Sequence, residues 1–149
     1  MGESNVTYVT DQTKLGHFYA KSLEEPNREK AIKYFTMAAE QKNAEAQYEL
    51  GHLEENIEKQ AGVKRDYGAA FHLYVQSAAK GNMDAEVALG LMYEKGKVPN
   101  SDKKLNMKNA AAHFSKAAKQ KHSIGTFHAA RLFEKVNKHD NAYALYKKS

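Results

Sequence analysis

The chain has no cysteine, which removes disulfide frameworks, thiolate nucleophiles and thiolate metal sites together. Proline is nearly absent as well: Pro26 and Pro99 stand far apart, so long helices meet few breakers and an all-α domain is favoured. No stretch approaches the roughly 18 apolar residues that a membrane-spanning helix needs. The opening Met1-Gly2-Glu3-Ser4-Asn5-Val6 has neither the basic nor the apolar region of a secretion signal. Val6 stands where a myristoylation signal has Ser or Thr, and the Asn5-Val6-Thr7 sequon acts only in a secretory protein. These absences lead to the expectation of a single cytoplasmic domain over residues 1–149. Arginine is scarce too, with Arg28, Arg65 and Arg131 the only three among 23 basic residues, which weakens bidentate reading of bases or phosphates.

Charge is present but unevenly placed. Residues 1–94 hold 10 Lys and Arg against 15 Asp and Glu, a net −5, and residues 95–149 hold 13 against 3, a net +10. A basic half could meet nucleic acid, an anionic surface or an acidic protein segment, and a lysine-solvated helical surface is the plainer reading.

The chain repeats itself. Leu15-Gly16, Leu50-Gly51 and Leu89-Gly90 recur, with a weaker copy at Ala129-Ala130, at steps of 35, 39 and 40 residues. Small pairs follow in the first three copies, at Ala38-Ala39, Ser77-Ala78 and Ala117-Ala118, and twelve residues after each comes Leu50, Leu89 or Ala129. Eleven residues before each small pair stand Asn27, Asp66 and Asn106, side chains suited to capping a helix start. Between cap and small pair runs a helical pattern, Ala31-Ile32-x-Tyr34-Phe35, Ala70-Phe71-x-Leu73-Tyr74 and Ala110-Ala111-x-His113-Phe114, echoed by Ala142-Tyr143-x-Leu145-Tyr146. The expected helices are 11–24, 28–41, 44–60, 67–80, 83–96, 106–120, 123–136 and 139–148, with a loop over 97–105. They make four antiparallel pairs, in repeats 11–43, 44–82, 83–122 and an incomplete 123–149.

Gly16, Gly51 and Gly90, with Ala38, Ala78 and Ala117, are expected to matter through close helix approach, because a small residue at a crossing lets two backbones near each other. On that account Gly90→Leu disrupts the stack and Gly90→Ala is tolerated, since Ala130 holds the same place. Each pair leaves one apolar flank for the next pair to cover. The last helix has no successor in the pattern, so Tyr143 and Tyr146 are expected to be poorly buried, with weak self-association as one consequence and a monomer as the alternative.

The stretches Ala38-Ala39-Glu40-Gln41, Ala44 to Gly51, Gly62-Val63-Lys64-Arg65-Asp66-Tyr67 and Leu89 to Gly96 resemble the Sel-1-like repeat, a relative of the tetratricopeptide repeat. The resemblance covers about residues 13–148. The glycine that usually follows the small pair is present as Gly81 and replaced by Lys42 and Lys121. The resemblance implies a right-handed α/α superhelix that serves as a protein-interaction scaffold or adaptor, without catalysis or cofactor. A dedicated inhibitor or immunity-type protein that occludes one effector, and a nucleic-acid-binding stack using the basic half, are the alternatives.

Seven histidines invite a metal or acid-base reading, but no two form an i, i+4 pair or a His-Glu-x-x-His motif. No metal site is expected, and His113, at an aromatic core position, reads as a packed neutral imidazole. Ser77-Ala78-Ala79-Lys80 matches the Ser-x-x-Lys of some acyl-transfer enzymes, yet Ser77 falls where the repeat needs a small residue and companion motifs are missing. No catalytic residue is expected.

The partner-binding strip is expected on the inner face of the first helices, at positions sharing one helical face. Its members are His17, Lys21, Tyr48, His52, Asn56, Val87, Leu91, Lys95, Phe127, Arg131 and Lys135. Leu91, whose equivalents are His17, His52 and Arg131, is the expected apolar anchor inside a basic rim, which suits an acidic segment carrying one apolar residue.

Overall fold

The structure is a computed structural model that describes the backbone of residues 2–21, 27–56 and 66–148, and side chains from residue 9 to 139 within those ranges. Helices dominate the described residues, with no strand among them: α1 (Gly2–Lys21), α2 (Arg28–Glu40), α3 (Ala44–Glu55), α4 (Tyr67–Ala79), α5 (Met83–Glu94), α6 (Asn106–Lys119) and α7 (Ser123–Lys148). This is an all-α helical-repeat solenoid, as expected. The chain forms two compact units, residues 1–85 and 86–149. The turn at Gly62 to Arg65 and the expected end of the third helix lie outside the described residues.

Side chains that accept orphan amide protons set the helix starts. Asn27 accepts from the Lys30 amide and Asp66 from the Ala69 amide, each at 2.9 Å, as the pattern anticipates. Asn106 departs from it. Leu105 holds the cap position of α6 with no side-chain bond, and Asn106 lies inside the first turn, buried, its Oδ1 without a partner. The cause is the loop before it, where Asp102 accepts from the Lys104 amide and its carbonyl accepts from the Leu105 amide, so a preformed turn starts α6.

A second series of caps starts α3, α5 and α7. Asn43 accepts from the Ala46 amide at 2.9 Å, Asn82 from Ala85 at 3.1 Å, and His122 Nδ1 from Gly125 at 3.1 Å. Just before each cap the chain turns through positive φ, at Lys42 (64°), Gly81 (91°) and Lys121 (59°). At each turn two amides bond back in the Schellman arrangement, Asn43 to Ala38 and Lys42 to Ala39 being the first such pair. Lys42 and Lys121 therefore hold a backbone that suits glycine, a strain of about 1–2 kcal/mol per residue. Lys121→Gly is expected to raise stability by about 1 kcal/mol, a rise of a few degrees in melting temperature followed by circular dichroism. Gly81→Ala is expected to lower it, although nothing lies within 4 Å of the added Cβ. An unchanged melt in both variants would mean that the turn carries no strain.

In the first unit Phe35 is fully buried among Ala31, Ala38, Ala46 and Leu50. In the second, Leu89, Met92, Ala110, Phe114, Ala117 and Leu132 are buried. The Leu-Gly glycines sit under aromatic rings from the second helix of their own repeat. A Cβ at Gly16 would lie 2.5 Å from the Phe35 ring, at Gly51 2.9 Å from Tyr74, and at Gly90 2.5 Å from Phe114. This corrects the expectation that Gly90→Ala is tolerated: the glycine makes room for a ring face, and even one methyl intrudes on it. The small-on-small contact expected of the repeat occurs instead at Gly125, where a Cβ would lie 2.5 Å from that of Ala117.

The fourth helix pair is also corrected. Helices 123–136 and 139–148 are one continuous helix, α7, of 26 residues. The other connections from first to second helix contain Pro26, Gly62, or Gly96 with Pro99, whereas no glycine or proline follows Gly125. Nothing in that stretch interrupts helical propagation. The side chains of Tyr143 and Tyr146 lie outside the described residues.

Candidate partner-binding face

The residues of the expected strip lie on or at the ends of α1, α3, α5 and α7, part of them in each unit. In the first unit Lys21, His52 and Asn56 are exposed and Tyr48 is half-buried. Asn56 donates from Nδ2 to the His52 carbonyl at 2.8 Å, and the Tyr48 ring lies 5.8 Å from that of Tyr74. His17 is engaged rather than open: its Nε2 meets Glu45 Oε1 at 2.7 Å and its ring sits edge-on to Phe35 at 5.2 Å. The Tyr74 hydroxyl donates to Glu55 at 2.8 Å; burial, then the Glu55 charge, pushes its ionisation well above the ordinary phenol value.

In the second unit Lys95, Phe127 and Lys135 are exposed, Phe127 to 62%, and Leu91 is half-buried. Two members of the expected strip need correction. Val87 is 6% exposed, because its side chain belongs to the core and not to a surface a partner could touch. Arg131 is no free rim cation: both its terminal nitrogens donate to Glu94, at 2.7 and 2.6 Å. The fork geometry explains the commitment, since parallel bonds to one carboxylate are the strong form of this pair. Hydrogen bonding from Arg131, against the opposing effect of burial, holds the Glu94 carboxyl below its ordinary range. Arg131 also donates to Nδ1 of His128 at 3.2 Å, and the His128 ring stacks on Phe114 at 5.1 Å. Burial, then the Arg131 charge, lowers the His128 imidazole, which favours the neutral form that accepts this bond.

Periodicity concealed one buried cluster altogether. Glu86 is 2% exposed and holds His113 Nδ1 at 2.7 Å and Lys116 Nζ at 2.8 Å. Burial raises the Glu86 carboxyl, and the bonds from Lys116 and His113 outweigh it, leaving the group below its ordinary range. His113 stacks on Tyr93 at 5.5 Å, as its aromatic place suggests, but it is tied to a carboxylate rather than simply packed. Among the described residues no group of three His, Asp or Glu could hold a metal ion, and no helix is long and apolar enough to cross a membrane.

Repeated helix pairs with registered glycine seats and turns define an all-α helical-repeat protein. Three stretches of the chain, residues 11–43, 44–82 and 84–122, match the Sel1 repeat, and the chain belongs to the Sel1 repeat family. Sel1 repeats are generally protein-protein interaction modules. A Sel1 repeat protein from Oxalobacter formigenes superposes with a TM-score of 0.65 at 27% identity, over 87% of this chain and 93% of that one. The protein c5321, described as a protective antigen of uropathogenic Escherichia coli strains displaying an SLR fold, superposes with a TM-score of 0.56 at 25% identity, over 85% of this chain and 34% of that one. The DAP3-binding cell death enhancer 1 of Rattus norvegicus is 36% identical over 84 residues, 55% of this chain. The chain spans only 15% of that relative's length.

Proposed function

We propose that this chain is a non-catalytic adaptor that binds an acidic protein segment through its first helices, with Phe127 as the apolar anchor and Lys95 and Lys135 as the basic rim. The observation that carries the reading is Phe127 itself, a large aromatic 62% exposed on a half whose net charge is +10. Desolvating such a ring sets the lifetime of a complex, and the surrounding lysines steer its formation. Lys21, His52, Asn56 and Tyr48 supply the corresponding surface of the first unit, and Leu91 supports the anchor in the second. A chain without cysteine suits the reducing cytoplasm, where we place this activity.

The test is a titration of the partner, once captured by cross-linking to the full chain, against wild type and a Phe127→Ser, Lys95→Glu variant. Affinity is expected to fall at least about a hundredfold, because an anchor and a steering charge are lost together, while helicity is retained. Arg131 is left in place, since its replacement would strand Glu94, which is 10% exposed in its side chain. Unchanged affinity in the folded variant would remove Phe127 from the interface.

A further inference from the structure

In each of the first three repeats the second helix covers one place on the first, and in the first and third repeats it covers a second place as well. One is the Leu-Gly glycine, which takes the ring of Phe35, Tyr74 or Phe114. The other lies three residues later, where Tyr19 stacks on Tyr34 at 5.7 Å and Tyr93 on His113 at 5.5 Å, with Glu54 half-buried in the middle repeat. The same two places on α7 are Ala130 and Phe133. Phe133 is exposed to 69% and Ala130 is exposed as well, because α7 runs straight on to Lys148 and none of the described residues turns back over them as a second helix.

α7 thus displays a seat shaped for a second helix that none of the described residues fills. We propose that this seat binds an amphipathic α-helix of a partner protein, which lays two consecutive large side chains, the second aromatic, over Phe133 and Ala130, and is acidic overall. The register is that of the chain's own covering pairs, Tyr34-Phe35, Leu73-Tyr74 and His113-Phe114. Glu134 adjoins the seat, so apolar fit rather than local charge sets affinity there. The sign of the incoming helix is set at longer range by the +10 of residues 95–149, which also repels a second copy of the same half. This inference deepens the adaptor reading and rests on it. It uses the face of α7 that repeats elsewhere cover, not the Phe127 face.

The probe is a synthetic stapled helix carrying the Ala-Phe-x-Leu-Tyr register of Ala70 to Tyr74 with glutamate at its outward positions, compared with a twin carrying lysine there. Fluorescence anisotropy with the full chain is expected to show the glutamate helix binding at least about tenfold tighter at low salt, with the gap closing as salt screens the charges. Phe133→Ser and Ala130→Lys are each expected to weaken binding about tenfold or more without changing helicity. No measurable binding, or binding that ignores both substitutions, overturns the proposal. So does a concentration-dependent dimer abolished by Phe133→Ser, which would make a second copy the occupant. A rise in affinity in the full chain bearing Leu145→Ala and Tyr146→Ala would show the chain covering its own seat, and equally overturn it. If the probe fails while the captured partner still depends on Phe127, the adaptor reading stands and the α7 seat falls. If the probe binds while the captured partner ignores Phe127, the seat stands and the Phe127 face falls.

Discussion

Replacing Gly90 with leucine is expected to unfold the second unit, and replacing it with alanine to destabilise it measurably. The Cβ of any residue at position 90 would lie 2.5 Å from Cε1 of Phe114, whose ring is fully buried and has nowhere to retreat. Overpacking of this kind costs about 1–3 kcal/mol for a methyl, offset by about 1 kcal/mol of helix propensity gained on leaving glycine. A 2.5 Å contact with a buried ring belongs at the upper end of that range, so alanine should lose about 1–2 kcal/mol, a drop of several degrees in melting temperature. Leucine adds three more heavy atoms to the same space and should abolish cooperative melting. A second substitution, Phe114→Leu, is expected to relieve part of the Gly90→Ala loss, because the offending ring atoms are gone. Thermal and urea melts of the single and double variants give the coupling directly. Additive effects, or an alanine variant as stable as wild type, would mean that the glycine is not held by the ring.

The second large effect is expected at Glu86. Its carboxylate is buried and bonded to His113 and Lys116, so Glu86→Ala removes two charge-assisted bonds and leaves a void. His113 and Lys116 are 29% and 62% exposed in their side chains and regain water, which keeps the loss below the ~3–5 kcal/mol of a charge stranded in the core. A loss of about 2 kcal/mol is expected near neutral pH. Because the folded carboxyl titrates below its ordinary value of 4.5, its contribution is complete above that value and disappears as pH falls through the lower folded value. Glu86→Gln cannot follow that titration. The stability gap between wild type and Glu86→Gln should therefore be widest near neutral pH and close in acid, as urea melts across this range would show. A gap that persists unchanged into strong acid would place the stabilisation in packing rather than in charge.

Both predictions mark the boundary of what periodicity can reveal. The repeat spacing located the glycines, the small pairs and all but one of the second-helix caps, since each is a fixed residue type at a fixed interval. It could not show that Gly90 lies under a ring, because a crossing between backbones and a seat for an aromatic side chain leave the same mark on a sequence. Asn106 looked like Asn27 and Asp66, yet the turn from Asp102 to Leu105 took over its role. The series Asn43, Asn82 and His122 was readable in principle, at intervals of 39 and 40, but its third member is a histidine and hides among six others. Charge pairing was least legible. Glu86 and His113, or Glu94 and Arg131, stand 27 and 37 residues apart, and nothing local distinguishes them from solvated surface charges. Of the expected strip, Val87 consequently lies in the core and Arg131 in an ion pair, while Phe127 stands exposed and Leu91, the expected anchor, is half-buried.

The adaptor reading is tested most directly by placing a photoreactive phenylalanine analogue at position 127 of the full chain, in the cells that make it, with position 115 on the exposed side of α6 as the control. Phe127 is 62% exposed and Ser115 is exposed as well, so light should reach a neighbour equally from either. The account predicts one discrete protein adduct at 127, weakened by Lys95→Glu and absent at 115. Adducts at 115 and none at 127, or none at either position with the protein folded, would contradict it.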